Sequence, residues 1–152
     1  MPGPTLFCYD GSEPSMQALG TAARLLAAGE AVVLTVWQPL TARLAEAGGF
    51  GVFALEQEGD VDEEERAAAL RAAEDGARRA TEGGSRASAR VEEAGGPVWQ
   101  KIVEVADELD AGLIVCAPRG RGRITSALLG STSHGIIQHA GRPVLIAPQQ
   151  RG

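Results

Sequence analysis

The chain has 152 residues, 44% of them hydrophobic and 4% aromatic, with a formal net charge of −6. That length and composition suit one soluble domain over 1–152 with a core of Ala, Val, Leu and Ile, and argue against a disordered chain. The acidic balance argues against coating nucleic acid or an anionic membrane surface, because neutralising phosphate needs an excess of Lys and Arg.

The chain alternates short apolar runs with longer helical patterns. TLFCY (5–9) reads as a buried strand. Asp10–Gly11–Ser12 then turns into a helix with Pro14 in its first turn, where a missing N–H costs nothing. Met16, Leu19, Ala23 and Leu26 recur at helical spacing, and Gly29 is the expected stop. AVVLTVW (31–37) is a second buried strand. Residues 38–59 are Gly-rich and weakly patterned, which predicts an irregular loop or partial helix.

DVDEEERAAALRAAEDGARRATE (60–82) is helical, its acidic residues gathered at the N-terminal end where the helix dipole favours them. RASARVE (86–92) alternates small or apolar with polar residues, as in a strand with one wet face at or near a sheet edge. Pro97 opens a helix with Val98, Ile102, Val105, Ala106 and Leu109 on one side. GLIVCA (112–117) is a fourth buried strand. A short helix is expected from about Ser131 to Ala140, ended by Gly141 and Pro143, and PVLIA (143–147) is a fifth strand.

Five strands separated by mostly helical connections predict an α/β fold: one doubly wound parallel sheet with helices on both faces. The opening MPGPTLFCYDGSEPS has neither a basic segment nor an apolar run of signal-peptide length, so a cytoplasmic protein is expected. AVVLTVW and LIVCA are too short to span a membrane. Cys8 and Cys116 lie inside apolar runs and are expected to be buried, reduced thiols rather than metal ligands.

In an open α/β sheet, ligands bind beyond the carboxyl ends of the strands where the connections reverse direction. Two predicted loops there carry suitable chemistry. Asp10 after the first strand is either a turn and capping residue or a partner for a ribose hydroxyl or metal. After the fourth strand, APRGRGRITSALLGSTS (117–133) combines three features. Gly120, Gly122 and Gly130 permit close backbone approach to an anion and positive φ. Ser131 and Thr132 begin a helix whose free N–H groups and dipole favour negative charge. Arg119, Arg121 and Arg123 add positive charge, which makes Arg119 and Arg121 candidate phosphate contacts.

Other motifs fail. No G-x-x-x-x-G-K-S/T is present, Thr125 interrupts a G-x-G-x-x-G, and Ser131 stands where a G-x-S-x-G elbow ending at Gly135 needs glycine. His134 and His139 fall on different sides of a helix and are read as surface or helix-end residues; no metal site is expected. No aromatic neighbours the arginines to stack bases, so nucleic-acid binding is not expected. With no convincing base or nucleophile beside the loop, no catalytic residue is assigned and activity is limited to slow ATP hydrolysis at most.

CYDGSEPSMQAL, GPVWQKIVEVADELDAGLIVCAP and GRGRITSALLGSTSHGIIQHAGRPVLIAP together resemble the universal stress protein family over almost the whole chain. Members that bind ATP carry G-x2-G-x9-G-S/T. Here Gly120, Gly130 and Ser131 match, and Ala117 stands where the first glycine belongs, followed by Pro118. Alanine resists positive φ, and Pro118 offers no N–H. The resemblance implies a sheet in the order 3-2-1-4-5 and an adenine nucleotide (ATP, with ADP or AMP as alternatives, and Mg²⁺ with the nucleotide) in a cleft. Asp10 would meet the ribose and adenine side, Val36 the adenine through its backbone, and Gly120, Gly130, Ser131 and Thr132 the phosphates beside Ala117. The implied function is a nucleotide-binding regulatory protein of the stress response. The alternative is a member that has lost the nucleotide and acts through protein contacts. The order also puts 143–147 at an edge, where pairing with its twin would form a homodimer.

Overall fold

The computed structural model describes residues 2–48, 58–119 and 129–148. Its centre is β1 (Thr5–Cys8), parallel to β2 (Glu30–Trp37) on one side and to β4 (Leu113–Cys116) on the other. β3 (Arg86–Glu93) lies outside β2, and β5 (Val144–Ile146) outside β4. The order is therefore β3-β2-β1-β4-β5, as expected.

Why the inner strands read as unbroken apolar runs is plain from their alternation. Leu6, Leu34 and Ile114 face one layer, while their neighbours Phe7, Val33 and Val115 face the other. In a strand successive side chains point to opposite faces, so a sheet covered on both sides needs apolar residues at both parities. The first layer is closed by α4 (Val98–Glu108) and α5 (Ser131–His139), through Ile102, Val105 and Ile136. The second is closed by α1 (Glu13–Leu25) and α3 (Glu58–Glu82), through Leu19, Ala22 and Ala80. β3 has the mixed burial expected of an edge, and Arg86 pairs with Glu30 across it at 2.6 Å.

α1 departs from expectation at its end. Ala22, rather than Ala23, is fully buried, and the helix stops at Leu26, which turns extended (φ −92°, ψ 146°) so that its side chain can pack with the second layer. Gly29 is not the stop and has no positive φ. Glycine ends α3 instead: Gly84 takes φ +104°, and the Ser85 N–H donates to Ala80 O. Gly141, at φ +61°, follows α5 as expected. The 38–59 stretch contains α2 (Leu40–Glu46); its later part lies outside the described residues. Among the described residues no helix is long and apolar enough to cross a membrane.

Candidate functional site

β1 and β4 are neighbours, but their following helices go to opposite faces, so a crevice must open between their carboxyl ends. A cavity of about 490 Å³ occupies that place, within the range of small-molecule sites. Asp10, Val36, Ala117, Arg119, Gly130, Ser131 and Thr132 all line it. Gly120, Gly122, Arg121 and Arg123 lie outside the described residues.

The β1–α1 turn is built by local chemistry. Gly11 takes φ +79°, a conformation costly for residues with a Cβ. The Asp10 carboxylate accepts the Ser12 N–H at 2.9 Å, and the Ser12 hydroxyl caps α1 by accepting the Ser15 N–H at 3.3 Å. Asp10 is thus a turn residue that also faces the cavity.

β2 runs past the end of β1. Leu34 O accepts the Tyr9 N–H at 2.9 Å, and Trp37 O accepts the Ala94 N–H from the β3 side. Backbone polar groups of a parallel strand alternate in direction, so Val36, in phase with Leu34, presents its N–H and C=O beyond the end of β1, toward the cavity. The Thr35 hydroxyl ties the two strand ends by donating to Tyr9 O at 2.6 Å. Below, the Tyr9 hydroxyl donates to Asp75 at 2.6 Å; burial, then this bond, pushes the phenol well above its ordinary range.

At the opposite wall, Gly130 is the N-cap of α5 without a side-chain capping bond. Its φ is −68°, so the expected positive φ is not used here. What glycine provides is proximity: a Cβ would lie 3.4 Å from Arg119 Cα. The Gly130 N–H donates to Pro118 O at 2.7 Å, and the Ser133 hydroxyl donates to the same carbonyl at 2.8 Å. The Ala117–Pro118 corner, lacking the first glycine, is thereby folded onto the α5 N-terminus. Ser131, exposed at the start of α5, and Thr132 remain at the cavity wall, where an anion is favoured by the helix dipole.

Cys8 is half-buried and Cys116 buried, both as free thiols lining the cavity. Burial pushes Cys116 up to about 12, and burial first, then Cys116, raises Cys8 well above the ordinary thiol range. Both stay protonated at neutral pH and are poor nucleophiles. His134 and His139 are exposed, as expected, and His139 stacks on Trp99 with ring centroids 4.4 Å apart.

Sequence reasoning missed the far end of the cavity, formed by Trp37, Gln38, Arg43 and Glu65. α2 and α3 bring Arg43 and Glu65 together, and neither belongs to a motif. The partial helix expected somewhere within 38–59 was the available clue.

Fold and crevice together define a doubly wound α/β protein with a cavity of small-molecule size at its switch point. The model of the universal stress protein family matches residues 1–148, and the chain belongs to that family. It is similar in structure to universal stress protein UspA from Lactobacillus plantarum (TM-score 0.72, 18% identity, covering 95% of this chain and 97% of that one). A universal stress protein from Archaeoglobus fulgidus in complex with dAMP aligns with TM-score 0.59 and 21% identity over 96% and 98% of the two chains. A universal stress protein in complex with cAMP aligns with TM-score 0.59 and 24% identity over 97% and 98%. At these identities the structural likeness is one of fold. A comparison with curated proteins found no match.

Proposed function

We propose that this protein is an adenine-nucleotide-binding regulator of the stress response, a binding module in which occupancy of the cleft biases partner contacts. The observation that carries this is convergence: the Val36 backbone, the Asp10 turn and the N-terminus of α5 face one cavity at the switch point. The family membership and the dAMP and cAMP complexes of two structural neighbours support the same ligand class. In this proposal Val36 meets the base, Asp10 the ribose side, and Ser131 and Thr132 the phosphates, with Gly130 keeping the corner close and Arg119 adding charge. Gly120 and Arg121 extend the phosphate side by motif spacing. AMP, ADP and ATP are candidates, with Mg²⁺ arriving on the phosphates.

Isothermal titration of the protein with AMP and with ATP–Mg²⁺ tests this. Saturable binding is expected, lost in Gly130→Glu, whose side chain would add bulk and negative charge at the corner. Absence of saturation with either nucleotide, repeated by equilibrium dialysis, would overturn it. The folded-back Pro118 carbonyl, which already occupies the Gly130 N–H, favours one alternative: a member acting through protein contacts without nucleotide. Binding regained only in Ala117→Gly would select that alternative.

The short apolar β5 lies at the sheet edge, and we place a second copy of the chain against it. Sedimentation at micromolar concentration is expected to give a dimer that a Leu145→Arg variant disrupts; a monomer for the unmodified chain would refute the pairing.

A further inference from the structure

The two ends of the cavity differ in chemistry. On one side of β1, at the end of β4, lie Arg119 and the N-terminal turn of α5. On the other side, where β2 overhangs, lie Arg43 of α2 and Glu65 of α3. Neighbouring strands are spaced by about 4.8 Å, so β2 and β4 stand about 10 Å apart across β1. That spacing suits a purine at one end and its 5′-phosphate at the other, across the ribose.

Glu65 decides which end is which. A carboxylate is unfavourable beside phosphate, and Glu65 lines the cavity from α3, which packs on β2 and β3 at the side of the sheet opposite β4 and β5. It pairs with Arg43 at 3.8 Å, a long contact between side chains that are 39% and 38% exposed. The Arg43 Nε is buried and meets no acceptor among the described residues. Buried donors of this kind call for a partner.

The pair is also held in place. The Asp62 carboxylate accepts the Leu40 N–H at 2.8 Å, fixing the start of α2 to α3. Gln38 donates to Glu46 at 3.0 Å, near the end of α2, and to Gly96 O at 2.8 Å. A cation on a braced helix, beside an acceptor on a second helix, is the arrangement a specific reader needs.

We infer that Arg43 and Glu65 read the base: Arg43 donates to a ring nitrogen and Glu65 accepts from the exocyclic amino group of a 6-aminopurine. The assignment rests on the nucleotide role proposed above and extends it from ligand class to base selectivity. A 6-oxopurine would set its O6 against the Glu65 carboxylate. Specificity thus comes from repulsion of the wrong base as well as attraction of the right one.

Titration of the full-length protein with adenosine, AMP and IMP tests this, with circular dichroism checking each variant's fold. The unmodified chain is expected to prefer AMP to IMP. Glu65→Gln, nearly isosteric, should shrink that preference by about tenfold, the scale of one good base contact. Arg43→Ala should weaken adenosine and AMP alike by about tenfold, whereas Gly130→Glu should lose AMP and keep adenosine. An unchanged AMP-to-IMP ratio in Glu65→Gln, or an Arg43→Ala variant that loses AMP but not adenosine, would overturn the base-reading pair while leaving the nucleotide role standing. Failure of the unmodified chain to bind any of the three would overturn both.

Discussion

The two faces of the sheet are covered by different means. On the α4–α5 face the helices supply the bulk: Ile102, Val105 and Ile136 sit over Leu6, Leu34 and Ile114. On the other face Leu19 of α1 adds bulk, but beneath α3 the sheet supplies it: Phe7, Tyr9 and Val33 meet Ala73, Ala80 and Gly76. Small residues let α3 lie close on the strands. The difference teaches that the faces should fail in opposite ways, one when atoms are removed and the other when atoms are added.

Deleting bulk should cost most. Ile136 is fully buried between α5 and the sheet, and Ile136→Ala is expected to lose about 3 kcal/mol in urea unfolding at unchanged m-value. Adding one methyl to the other face comes next. A Cβ on Gly76 would lie 2.6 Å from Val33 Cγ1 and 2.9 Å from Tyr9 Cδ1. Gly76→Ala should therefore lose about 1–2 kcal/mol, although alanine is the better helix former by about 1 kcal/mol. A variant as stable as the parent would show that α3 can shift outward, and would dissolve the contrast.

The α1–α3 face also has a polar tether, from Tyr9 to Asp75, joined by Arg79 at 2.8 Å. Tyr9→Phe is expected to cost about 1 kcal/mol. The tether is pH-dependent. The Tyr9 hydrogen bond, then the one from Arg79, holds Asp75 below its ordinary value of 3.8. A carboxylate depressed in the folded state contributes stability fully above its unfolded value and loses it as pH falls through the lower folded value. Acid titration of stability should therefore be shallower in Tyr9→Phe. Leu25, 72% exposed at the end of α1, sets the baseline: Leu25→Ala should move stability by less than about 0.5 kcal/mol.

The sequence made the central strands legible because both parities are apolar, and β3 legible because its alternation is not. Phase within a helix was harder: Ala22 and Ala23 are identical to any pattern, and packing against the strands chooses between them. Leu26 ended α1 by packing, which overrode the glycine signal at Gly29. At the site, Gly130 and Ser131 were readable from motif spacing, while the fold-back of Pro118 O onto Gly130 depends on a loop conformation no spacing encodes. Arg43 and Glu65 were silent for a different reason. They meet through tertiary placement of α2 against α3.

Residues 5–93 build β1, β2 and β3, and residues 98–146 build β4 and β5. Each half of the sheet is thus one continuous piece of chain, and the two are stitched where Thr5, Leu6 and Phe7 pair with Leu113, Ile114 and Val115. Gly95 and Gly96 mark the crossing in the chain. The cavity lies on this seam, so the protein has the layout of two complementing fragments with the cleft between them. A molecule seated there would clasp one fragment to the other and raise the stability of the whole by mass action.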